Sequence, residues 1–258
     1  MAVQLHDTMT ARRAYHGSAR LGQRDIDGLS LCAEHYGAPY DLLAAALGVQ
    51  PARLRGIVAR WRRAGYAATG RLCPGPAWCW LTPAGMGAAG LAYPARRPAL
   101  ARLAQIRAVL AARLWLQASP AWHQGHAWWH SGRHIRAVRP GASARHLPAA
   151  EIHWPSLPAS PYAGQVWAVE VELTPRPVAR TARIISALQG PARYAQVIYL
   201  TTPVARLVAA MAADALPAHA APVVIRDLPP FAVTPEPGLI TVMSGRDRLS
   251  ACRCRARQ

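Results

Sequence analysis

The sequence predicts an α/β chain, α+β overall, in which a helical module with a short hairpin precedes a layered domain built on a mixed sheet. Three observations carry that expectation. Apolar residues recur at helical spacing from Arg24 to Ala118, and the period changes to two from His146. The stretch Gln165–Arg180, QVWAVEVELTPRPVAR, reads as a strand with apolar residues on both faces, then a turn, then an arginine-rich helix. Strands and helices alternate from there to Leu228.

Taken in order, residues 1–22 are polar and basic without a clear period and read as a flexible arm. Residues 23–95 form the first module. A helix over Arg24–Tyr36 carries Ile26, Leu29, Leu31 and Cys32 and ends at Gly37 and Pro39. A short helix, Tyr40–Leu47, closes at Gly48. Pro51 then starts a third, PARLRGIVARWRRAGY, with Leu54, Ile57, Val58 and Trp61 along its core face. Arg53, Arg60 and Arg63 form one flank of it and Arg55 with Arg62 the other. Two helices joined by a glycine-containing turn, the second loaded with arginine, make a helix-turn-helix pattern. Tyr66–Cys73 and Ala77–Leu81 read as strands around Pro74-Gly75-Pro76, with Arg71 in the hairpin, and Thr82 can cap a further helix. Helices followed by a hairpin give a winged helix.

Residues 96–140 read as a helical connector. Ala99–Ala118 is a long helix with Leu103, Ile106, Leu110 and Leu114 on one side, a packed spacer or a dimer seam. In WHQGHAWWHSGRH, His123, His126, His130 and His134 stand at helix-compatible spacing. No cysteine or carboxylate joins them in the sequence, and Gly125 and Gly132 weaken a continuous helix, so core aromatics with histidines facing an anion is the preferred reading over a metal site.

Residues 141–230 make the second domain. Its strands are His146–Trp154, Val166–Leu173, Tyr194–Thr201 and Pro222–Leu228, and its helices are Pro177–Leu188 and Val204–Leu216. Glu170 and Glu172 sit on one face of the central strand, where burial is costly unless a cation meets them; Arg180, Arg183 and His146 are the candidates. Residues 231–258 read as a basic, disordered tail.

Composition narrows the partners. The chain has 30 basic residues, all arginine, against 12 acids, a net charge of +18. Arginine's planar fork suits phosphate and guanine, so double-stranded DNA is the expected partner, although biased codon usage also yields an Ala- and Arg-heavy chain. The five cysteines form neither a paired zinc spacing nor a disulfide framework, which fits a reducing cytoplasm and, for a DNA binder, the bacterial nucleoid. The most apolar run, Leu100–Leu116, is broken by Arg102, Arg107 and Arg113, so no membrane span is expected.

The motifs HLPAAEIHW, WAVEVELTPRPVAR and YAQVIYLTTP resemble the replication-relaxation family of actinobacterial plasmids and integrated elements, over roughly Arg24–Leu228. That resemblance implies a winged helix followed by a restriction-endonuclease-like domain of the PD-(D/E)xK type. It implies a DNA-binding protein of a mobile element, acting in plasmid replication, relaxation or transfer, with replication or transfer proteins and a second copy of the chain as partners. In the nuclease pattern an acid and a Glu-rich strand gather Mg²⁺ or Mn²⁺ beside the scissile phosphate. The resemblance places metal ligation on Glu170 and Glu172, with Glu151 as a third catalytic carboxylate. This chain departs at two positions: Ala149 stands where the first acid is expected and Arg176 where many relatives carry lysine. An inactive nuclease-like domain needing no cofactor is therefore the expectation. A metal-dependent nicking nuclease and a dimeric operator-binding regulator are the alternatives.

Overall fold

In a computed structural model, residues 21–139, 146–157, 160–189, 194–216 and 221–229 are described, and they form a mixed α+β structure. The first helix, α1 (Gln23–Glu34), begins where Asp25 accepts a hydrogen bond from the Gly22 N–H at 3.1 Å. A two-residue strand, β1 (Ala38–Pro39), leads into α2 (Tyr40–Ala46) and α3 (Pro51–Arg63). Gly48 adopts φ +60°, a left-handed value that ends α2, and the two helices cross at 98°. The hairpin of β2 (Ala67–Gly70) and β3 (Trp78–Leu81) follows, and Thr82 caps α4 (Pro83–Ala88) by accepting from the Gly85 N–H. The strand order is β1-β3-β2, with Ala38 opposite Cys79. β1 was not expected from the sequence, because its partner strand lies beyond α2, α3 and β2 in the chain.

Leu29, Leu43, Leu54, Val58 and Trp61 fill this module's core, each without exposed surface. Gly28 is there for space: a Cβ on it would stand 2.5 Å from the Trp61 ring.

A 3₁₀ turn (Leu100–Arg102) opens α5 (Leu103–Gln117), the spine of the molecule. Leu110 and Ala111 belong to the core of the first module, while Ala108, Val109, Ala112 and Leu116 belong to the core beneath the sheet. A helix buried on two sides has no single polar stripe. Its polar side chains tie both ways. Arg107 and Arg113 pair with Asp41 and Glu34 of the first module, and the Gln105 amide donates to the Val171 carbonyl at 2.9 Å.

The histidine-rich patch is not one helix. It divides into α6 (Pro120–Gly125), β4 (Trp128–Ser131) and α7 (Gly132–Val138), so half of the expected connector joins the sheet domain. His126 breaks the run with φ +48°. The remaining elements are β5 (Ala150–His153), β6 (Val166–Glu172), α8 (Val178–Gln189), β7 (Gln196–Thr201), α9 (Pro203–Asp214) and β8 (Val223–Asp227). The sheet runs β4-β5-β6-β7-β8, antiparallel through β6 and parallel beyond it. Trp167, Val169 and Val171 of β6 face the core shared with α5, and Ala168 faces the core shared with α8 and α9. The central strand is thus covered on both faces, as its sequence pattern requires.

Among the described residues no single helix is long and apolar enough to cross a membrane. Residues 1–20 of the arm expected at 1–22, and the tail expected at 231–258, lie outside the described residues; Gly22 is the N-cap of α1.

Candidate functional site

Two surfaces draw the functional side chains together. The first is the outward face of α3. With Leu54, Ile57, Val58 and Trp61 turned into the core, Arg53, Arg55, Arg60, Arg62 and Arg63 all emerge into solvent, and Arg71 is exposed beside the hairpin. Ala52, Gly56, Ala59 and Arg63 fall on the line opposite the core, so the ridge of the helix is mostly small and its flanks are cationic. A Cβ on Gly56 would meet nothing within 4 Å. Arg62 and Arg63 also line a shallow groove with Ala67, Ala68 and Thr69 of β2. Arg53, Arg55, Arg62, Arg63 and Arg71 have no acidic partner among the described residues. Arg60 differs: it pairs with buried Asp25, which also accepts from Trp61 Nε1 at 2.8 Å. That arginine helps hold the helix on its core.

The second surface is one face of the sheet, where Glu151, Glu170 and Glu172 are all buried. The sequence placed Glu170 and Glu172 on one face, and the register, with Glu151 opposite Ala168, brings Glu151 to that same face, but the three are not one ligand set. Glu170 lies 3.3 Å from His146 Nε2 in ion-pair range, without hydrogen-bond geometry, and accepts from the Ala149 N–H at 3.2 Å. Glu172 forms an ion pair with Arg176, whose Nε lies 2.8 Å from the carboxylate. Arg180 and Arg183, the other cations anticipated, line a shallow depression with His146 instead. Glu151, fully buried, accepts from Arg139 at 2.5 and 3.1 Å, from the Tyr194 hydroxyl, and lies 2.9 Å from His153 Nε2.

The electrostatics follow from these partners. Burial would raise the Glu151 pKa, but the bonds from His153, Arg139 and Tyr194 outweigh it and hold the carboxyl down at about 2. Burial dominates at Glu172 and raises its pKa; Arg176 opposes the rise and neighbouring Glu170 adds to it. Tyr199, beside both acids, is pushed well above the usual phenol range by burial and by their charge.

Between the two modules, Ala149, Glu170 and Arg176 open onto a cleft of about 310 Å³, whose other walls include Glu34, Arg102, Arg133 and Arg136. Arg133 is committed to structure. It is buried, donates to the Ala33 and Pro94 carbonyls, and stacks on Tyr36 and Tyr93 at 4.3 and 4.8 Å.

Sequence reasoning missed Arg139, Tyr194 and His153 around Glu151, and Arg133 at the junction. Only His153 left a trace in the sequence, two residues beyond Glu151 and hence on its face of the strand.

No family model matches the chain, and no curated protein matches it. The resemblance drawn from the strand motifs therefore rests on those residues alone. A solved structure, that of RV1404 from Mycobacterium tuberculosis, is similar at 21% identity over 48% of this chain and 74% of that one, with a TM-score of 0.25. A likeness that slight carries neither fold nor activity.

Proposed function

We propose that the chain is a DNA-binding protein that reads double-stranded DNA through α3 and the β2–β3 wing. One observation carries this reading: four arginines of α3 without an acidic partner among the described residues, Arg53, Arg55, Arg62 and Arg63, stand on and beside a small-residue ridge of the second helix of a helix-turn-helix, with Arg71 exposed next to the hairpin. Residues at the N-terminal end of such a helix reach base edges, which places Arg53 and Arg55 at the bases. Arg62, Arg63 and Arg71 lie toward the phosphates on either side. The small ridge lets the helix axis approach the groove floor. The strand motifs put the setting in replication, relaxation or transfer of a plasmid or integrated element, in a bacterial cytoplasm.

The sheet domain is read as a non-catalytic companion. Its would-be metal ligands are engaged, Glu170 by His146 and Ala149 and Glu172 by Arg176, and Ala149 supplies no third oxygen. Mg²⁺ is held through one or two carboxylates with water completing its shell, and here both carboxylates already face other partners.

Equilibrium binding to double-stranded DNA at several salt concentrations tests the reading. Log K should fall with log salt by about 0.9 per phosphate neutralised. Arg53→Ala with Arg55→Ala should weaken binding by about 3 kcal/mol, roughly 100-fold, at fixed salt. Unchanged affinity in that double variant, with its circular dichroism intact, removes α3 from the interface. Supercoiled plasmid incubated with Mn²⁺ should stay supercoiled; nicking that Glu170→Gln abolishes establishes the enzyme instead. Footprinting separates an operator-binding regulator, which would protect a discrete palindrome.

A further inference from the structure

We infer that His130, Glu151 and His153 form a binding site for one transition-metal dication of the zinc class, separate from the DNA-contacting helix and from Glu170 and Glu172. The register of the sheet builds it. His130 of β4 stands directly opposite Glu151 of β5, and His153 follows Glu151 by two residues on the same face. The three ligand atoms lie within 4.8 Å of one another, and the rings of His130 and His153 are 4.1 Å apart between centroids. A tetrahedral zinc with bonds of about 2.0–2.1 Å needs ligand atoms about 3.3 Å apart. His153 Nε2 and Glu151 Oε2, at 2.9 Å, are already that close. Rotation of the half-buried His130 ring supplies the rest.

The donor set selects the metal. Two imidazoles and one carboxylate suit zinc, cobalt or nickel better than magnesium, which prefers oxygen.

Arg139 is the competing cation, and the two carboxylate oxygens divide the work. Oε1 takes Arg139 at 2.5 Å and the Tyr194 hydroxyl; Oε2 takes His153 at 2.9 Å and only the longer Arg139 contact, at 3.1 Å. A metal on Oε2 displaces that longer contact, while Arg139 and Tyr194 still orient the carboxylate from Oε1. His153 then carries its proton on Nδ1. Because His130 and His153 are both partly exposed, the fourth position faces solvent and takes water or another oxygen ligand.

The test uses the full chain, stripped with EDTA and titrated with Zn²⁺ by calorimetry and with Co²⁺ by visible absorption. One equivalent of each should bind, with Co²⁺ giving the intense d–d bands of tetrahedral coordination. His130→Ala and His153→Gln should each weaken uptake by at least about 100-fold, and the second keeps a donor to Glu151 so that the strand stays paired. His126→Ala, exposed and outside the cluster, should leave uptake unchanged. Failure of the unmodified chain to take up one saturable equivalent overturns the inference. So does full-strength uptake in both His130→Ala and His153→Gln.

Discussion

Asp25 in the first helical module and Glu172 in the sheet are both buried acids facing an arginine, yet burial wins at one and loses at the other. Burial pushes the Asp25 pKa up, but Trp61, the Gly22 N–H and Arg60 together bring it below the ordinary value. At Glu172 the Arg176 bond and a long contact from Tyr199, at 3.4 Å, do not offset burial, and Glu170 adds repulsion, so the pKa rises. The difference lies in donor geometry. Asp25 sits at a helix N-terminus, where backbone N–H groups and the helix dipole favour negative charge. Glu172 ends the central strand of the sheet, and no backbone N–H is among the groups that act on its carboxyl. The same contrast runs through the two modules: arginines on α3 are left in water, while the acids of the sheet are turned inward and held.

The largest way to break the comparison is Trp61→Ala. It removes a fully buried ring and one of Asp25's donors together, and should cost about 4 kcal/mol in urea denaturation. A loss under about 1 kcal/mol would mean that the core face of α3 is misassigned.

A pair of isosteric changes sharpens it. Asp25→Asn should destabilise by about 2 kcal/mol at pH 7, the loss of charge-assisted bonds. Because the folded pKa of Asp25 is lowered, its stabilisation is present above 3.8 and is lost as pH falls through and below that value, so the gap to the unmodified protein should close there. Glu172 runs the other way. Its folded pKa is raised above 4.5, so its contribution is present below 4.5 and is lost as pH rises through the folded value. Glu172→Gln should therefore be neutral or slightly stabilising at pH 7 and lose that advantage toward pH 4.5. Arg176 is about one-third exposed and can turn to water. Parallel pH–stability curves for the two variants would contradict the assignment of opposite shifts.

The smallest effect tests whether the outward face of α3 serves a partner rather than the fold. Gly56→Ala has open space around it and should stabilise the helix by about 0.5–1 kcal/mol. If the small ridge lies against a groove floor, the same methyl should weaken DNA binding while the melting temperature rises. Gains in both would detach the ridge from recognition.

The sequence by itself determined the elements whose signals are local. The period of Leu54, Ile57, Val58 and Trp61 gave α3 its phase, Thr82 marked a cap, and alternation through Val166–Glu172 announced a strand covered on both faces. The mixed sheet was legible for the same reason, since strand–helix alternation dictates parallel pairing. Tertiary structure decided what depends on partners distant in the chain. β1 is too short to announce itself, β4 lies in a histidine-rich run whose spacing also suits a helix, and both exist because β3 and β5 offer them hydrogen bonds. α5 could not reveal its two cores, because a helix packed on both sides loses the polar stripe that would orient it. Above all, the sequence listed the acids and the histidines but not their assignments. Glu151 is held by Arg139, Tyr194, His153 and the His130 strand because register and packing brought those groups together, and charge within a fold goes to whichever partner the register delivers.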